Sequence, residues 1–159
     1  MNKKWIYAVI IILLIVVGSY GVLVYNSSVN AKVGDSSSVT IPEGFKFNNI
    51  KDGITLISNK NTKLFVQEVK NPQPMDLIIQ NFTQTNKDKY KLEQSSKDFA
   101  DGVHMESVIA KNNESKLVSA NYWYTKNGKT YRIDLRGKGN GKAVETLVNT
   151  TTLNPLPFI

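Results

Sequence analysis

The chain carries one histidine, His104, and in an extended segment it shares a face with Glu106, a spacing that could move a proton or offer two ligands to a metal. Zinc takes three or four ligands, so the pair does not by itself make a metal centre. Asp98 and Asp101 add acidity nearby without the loop spacing that calcium requires. Serines and threonines are plentiful, yet no Gly-x-Ser-x-Gly elbow occurs, and a lone histidine would have to serve any triad. Gly137-Lys-Gly139-Asn-Gly141-Lys142 lacks the spacing of a phosphate loop and the Ser or Thr after its lysine, so it reads as a turn into a helix with Asn140 as the cap. The sequence contains no cysteine, which removes disulfides, thiolate nucleophiles and Cys-ligated metals together. The expectation is a non-enzyme with no cofactor and no metal. A deep pocket gathering His104, Glu106 and Asp101 would reverse it, toward a hydrolase-like or metal-dependent enzyme.

The stretch Tyr122–Gly139, YWYTKNGKTYRIDLRGKG, raises a different chemistry, that of holding an anion. Of the 20 Lys and Arg residues two precede the apolar N-terminal segment, and residues 126–142 hold six of the rest against one acid, Asp134, while the remainder of the domain balances 12 bases with 12 acids. Lys126, Lys129, Arg132, Arg136, Lys138 and Lys142 therefore carry its whole excess of positive charge. Asn127-Gly128 supplies positive φ at both positions of a type I′ turn, which fixes the hairpin register. Tyr124 then opposes Tyr131, Trp123 opposes Arg132, and Ala120 opposes Leu135. Tyr122, Tyr124, Tyr131, Ile133, Ala120 and Leu135 fall on the apolar face, while Trp123, Arg132, Asn121, Asp134 and Arg136 fall on the polar one. Trp123, Arg132, Arg136 and Lys138 are the candidate ligand-binding residues, a stacking platform and anion hook. The alternative is an Arg packed on a Trp face inside a self-satisfied charge ladder, and a final helix lying over Trp123 and Arg132 would remove the binding surface.

The elements that must position these residues follow from periodicity. Val39–Phe47 reads as an edge strand broken at Pro42-Glu43-Gly44, and Gly53–Ser58 with Lys63–Val69 as a hairpin. Met75, Ile78, Ile79 and Phe82 recur at helical spacing after Pro74, with Asp76 at the positive end. Strands over Lys89–Ser95, Val103–Lys111, Leu117–Lys126 and Lys129–Arg136 precede a helix over Lys142–Asn149. Strands and helices in segregated runs indicate an α+β domain, an antiparallel β-sheet packed with two helices.

Ahead of this domain, Trp5–Tyr25 contains no charge and matches the roughly 20 residues that cross a bilayer core. Lys3 and Lys4 place residues 1–4 in the cytoplasm, residues 5–25 across the membrane as a signal anchor, and the domain outside. A signal peptide cut after Ala31 is the rival, and the length of the apolar run favours the uncleaved anchor. Residues 26–38 read as a flexible linker and 39–159 as the extracytoplasmic domain. Sequons at Asn26, Asn81, Asn113 and Asn149 are candidate glycosylation sites, Asn113 in its turn being the best placed.

The Ile41-Pro42-Glu43-Gly44-Phe45 opening, the strand Asn127–Leu135 and the closing helix Ala143–Thr150 together resemble the small Mog1/PsbP-like α+β domains, over Val39–Leu153. The layout is similar to that of small membrane-anchored archaeal surface proteins. The resemblance implies a binding or accessory module and carries no catalytic set. Partners expected of a single-pass surface domain with a basic hairpin are an anionic envelope polymer, lipid head groups or an acidic protein; a purely structural envelope role is the alternative. With only Trp123 beside the arginines, nucleic acid is not an expected partner.

Overall fold

The computed structural model describes residues 30–153. The segments 1–4 and 5–25, Asn26 and the start of the linker lie outside the described residues, and among those described no helix is long and apolar enough to cross a membrane.

Ten strands and two helices follow in the described chain: β1 Asn30–Val33, β2 Ser37–Thr40, β3 Lys46–Lys51, β4 Ile54–Ser58, β5 Thr62–Glu68, α1 Met75–Asn86, β6 Lys91–Asp98, β7 His104–Lys111, β8 Leu117–Lys126, β9 Lys129–Gly137, α2 Gly141–Thr150 and β10 Thr152–Leu153. The architecture is α+β. Seven strands form one antiparallel sheet in the order β3-β4-β5-β9-β8-β7-β6, and β1, β2 and β10 form a second.

The β8–β9 hairpin organises the large sheet. Asn127 and Gly128 both have positive φ, 54° and 73°, and the register pairs Tyr124 with Tyr131, Trp123 with Arg132 and Ala120 with Leu135, as the two-residue turn requires. The inner face carries Leu64, Val66, Tyr124, Tyr131, Ile133 and Leu135, all fully buried beneath α2, β1 and β2. The two tyrosine rings stack with centroids 5.3 Å apart. Their hydroxyls find partners within the core, Tyr124 with Thr151 at 2.7 Å and Tyr131 with Ser37 at 2.6 Å. Burial pushes both phenols above their ordinary pKa, so neither ionises in the neutral range.

The second helix is set by its ends. Asn140 Oδ1 accepts from the Ala143 amide at 3.1 Å, an N-cap that satisfies one of the orphan donors of the first turn. Ala143, Val144, Leu147 and Val148 then face the core.

The boundary of the fold differs from the expected one. Residues 30–38, read as tether, form β1, a turn and the first half of β2, because Ala31, Val33, Ser37 and Val39 alternate into the core with small side chains that look like linker composition. Thr55 Oγ1 donates to the Lys32 carbonyl at 2.6 Å, tying β1 to β4. β10 was not anticipated either; it is two residues long and pairs Thr152 with Ser38.

Candidate functional site

The outer face of the large sheet decides which basic residues are free. Helix α1 lies across its β7–β8 part, where Ile79, Val108 and Trp123 form a second buried cluster with Met75, Ile78, Phe82 and Leu92 packed around it. Trp123 is 2% exposed, and the Phe82 ring meets it edge-on at 5.1 Å. The exposed stacking platform expected of Trp123 is therefore not present. The amphipathic stripe of α1 needs an apolar partner, and on this face Trp123 and Val108 are what it finds. The helix that covers Trp123 is thus the first, not the last.

Arg132 is drawn into the same packing. Its guanidinium lies 5.6 Å from the Phe82 ring centre and 5.5 Å from that of Trp123, and Nη2 donates to Asn121 Oδ1 at 2.7 Å. Nε is buried without a partner. Burial lowers the Arg132 pKa from its ordinary value, partly opposed by Asp134.

Two lysines of the basic run are likewise engaged. Lys126 Nζ donates to the Val148 and Asn149 carbonyls at 3.0 and 2.8 Å and lies 3.5 Å from Asp101, so it caps the negative end of α2. Lys129 donates to Glu68 at 2.8 Å.

Arg136 and Lys138 are exposed, and the fold brings two further cations to them. Arg136 sits directly opposite Lys63 across the β5–β9 pair. Lys138 donates its backbone N–H to Asn61 O at 2.9 Å, which ties it to the β4–β5 turn that carries Lys60. Lys142 follows in the first turn of α2, which carries no acidic residue. Among the described residues Lys60, Lys63, Lys138 and Lys142 enter no ion pair, and Arg136 pairs with Asp134 at 3.1 Å while resting 5.5 Å from the Phe65 ring centre. Asp134 raises the Arg136 pKa by hydrogen bond and by charge. Like charges directly opposite in a sheet are destabilising, and a lysine at a helix N-terminus opposes the macrodipole. This end of the domain therefore concentrates unfavourable positive potential that an anion would relieve.

The sequence reading missed Lys60 and Lys63 because they lie some 70 residues away in the chain, on a turn whose pairing with β9 no local pattern discloses.

His104 occupies the opposite part of the outer face. Its Nδ1 bonds Asp98 and its Nε2 bonds Glu106 at 2.8 Å, and these bonds, that to Asp98 foremost, raise its pKa above 6.5. Ionised carboxylates only accept, so the doubly protonated ring is the form that satisfies both. The two acids sit on opposite ring nitrogens and do not converge on one point. Asp101 goes instead to Lys126. His104 and Glu106 line an open cleft of about 520 Å³ against α1, with Asp76 and Gln80.

Of the sequons, Asn81 lies on α1, Asn113 in the exposed β7–β8 turn and Asn149 in the last turn of α2, where its threonine, Thr151, is fully buried. No family model and no curated protein matches the chain.

Proposed function

We propose that this protein is a single-pass, membrane-anchored extracytoplasmic accessory domain that binds a polyanionic polymer of the cell envelope through Lys60, Lys63, Arg136, Lys138 and Lys142. The carrying observation is the crossing of Lys63 with Arg136 beside a turn and a helix start that add only positive charge. These cations come from two connecting segments, two strands and a helix, so they spread over an exposed end of the sheet. An extended ligand with repeated charges suits that spread better than a compact one. The anchor reading rests on Trp5–Tyr25 and its lysine flank, and the resemblance to Mog1/PsbP-like modules supports an accessory role.

The test of location is carbonate extraction of cell membranes together with protease access from outside. Retention in the membrane with the domain cleaved from outside is expected, and release by carbonate overturns the anchor. For binding, full-length protein is titrated with polyphosphate. Saturable binding that Lys63→Glu with Lys138→Glu abolishes is expected, and a double variant that binds unchanged overturns the reading. Preference for vesicles of anionic lipid over the polymer would transfer the site to head groups instead.

A further inference from the structure

Arg132 is a half-buried cation whose nearest hydrogen-bonding partner is a neutral amide. Taking a charge out of water without an opposite charge in contact is costly, and this guanidinium rests against the rings of both Phe82 and Trp123. The side chain forms part of the wall of a cleft of about 740 Å³, within the usual range for small-molecule sites. The cleft is open to solvent and bordered by the β1–β2 turn at Gly34-Asp35, the β3–β4 turn at Asp52-Gly53 and the chain after β5 at Val69–Asn71, with Trp123 and Arg132 also lining it.

The charges around the cleft fall into two sets. Lys129 and Glu68 neutralise each other at 2.8 Å. Arg132, Lys70, Asp35 and Asp52 also line the cleft and enter no ion pair among the described residues, although Asp35 is near enough to favour the charged Lys129 and Asp134 does the same for Arg132. Asp52 is held at φ 53°, a left-handed backbone that an aspartate adopts at a cost. A cleft with free charges of both signs suits a ligand that carries both.

We propose that this cleft binds a small zwitterionic molecule, its oxyanion against Arg132 and its amine against Asp35 and Asp52. The site is separate from the basic end of the sheet, so it stands whether or not the polyanion reading holds. Trp123 reports on it directly. The chain has two tryptophans, and Trp5→Phe leaves Trp123 as the sole tryptophan.

The experiment titrates full-length Trp5→Phe protein in detergent with glycine, glycylglycine and O-phosphoethanolamine, and with acetate, inorganic phosphate and ethanolamine as single-charge controls. Saturable change in Trp123 emission below about 10 mM is expected for at least one zwitterion, with each control at least tenfold weaker. Glycine or glycylglycine binding assigns a carboxylate, and phosphoethanolamine binding a phosphate. Arg132→Met removes the guanidinium but leaves an unbranched apolar side chain against the rings, and should weaken binding tenfold or more. Asp52→Asn suits the left-handed turn and should weaken it severalfold without disturbing the fold. No saturation by any zwitterion, equal binding of a control, or unchanged binding by Asp52→Asn together with a folded Arg132→Met would each overturn the proposal. Polyphosphate binding is unaffected by either variant, which separates this site from the basic end.

Discussion

Three of the six basic side chains in residues 126–142 are structural once their partners are seen; the sequence offered this reading for Arg132, packed on the Trp123 face, and not for Lys126 or Lys129. Lys126 is 14% exposed, and its ammonium closes two carbonyls at the end of α2, so Lys126→Met should cost about 1–3 kcal/mol by leaving those acceptors and Asp101 without their donor. The midpoint of urea unfolding checks this. A lysine looks free in sequence because its long stem can reach any partner, and the helix end it caps begins some twenty residues later. His104 gives the complementary case, a residue whose face-sharing with Glu106 was legible at period two while the bond to Asp98 across β6–β7 was not. Its folded pKa is raised, so the stability it contributes is whole below pH 6.5 and is lost as pH rises through the folded value. As the single histidine it gives one imidazole resonance. The NMR titration midpoint should lie above 6.5, and Asp98→Asn should lower it more than Glu106→Gln, because the Asp98 bond is the larger cause.

Among the elements, the register of the β8–β9 hairpin was readable pair by pair, since Asn127-Gly128 permits one turn geometry and that geometry leaves one register, while β9 runs one residue beyond the expected Arg136. The stripe of α1 was readable too, but not the surface it would cover. An amphipathic helix declares that one side is buried and says nothing about which sheet face receives it. Placing α1 over Trp123 turned the expected platform into core, and Trp123→Ala should accordingly lose about 3–5 kcal/mol, as large core truncations do. β1 escaped notice for the opposite reason, because Asn30-Ala-Lys-Val33 buries only small side chains and offers no hydrophobic run. Gly137 marks where β9 is locked to the β4–β5 turn. It has φ 91°, and a Cβ there would sit 2.2 Å from Asn61 O. Gly137→Ala should cost about 1–3 kcal/mol in backbone strain alone, read as a lowered thermal midpoint, and should also weaken polyanion binding by shifting Lys138 away from the turn that carries Lys60.

Over the whole domain, the charge excess seen in sequence is redistributed by the fold. Lys126, Lys129 and Arg132 are absorbed into helix capping, an ion pair and aromatic stacking, while Lys60 and Lys63 join Arg136, Lys138 and Lys142 at one end of the sheet. Net charge was visible from composition. Its location was not, because the β4–β5 hairpin, distant in sequence, brings two of the five cations. The central claim is that this end, and not the hairpin face as a strip, holds a polyanion. The most direct measurement is the salt dependence of polyphosphate affinity for full-length wild type, Lys63→Gln with Lys138→Gln, and Arg132→Met. Each phosphate-contacting cation contributes about one unit to the slope of log affinity against log salt. The slope should fall by about two for the lysine pair and stay unchanged for Arg132→Met. A slope unchanged by the lysine pair, or a loss confined to Arg132→Met, would contradict the claim.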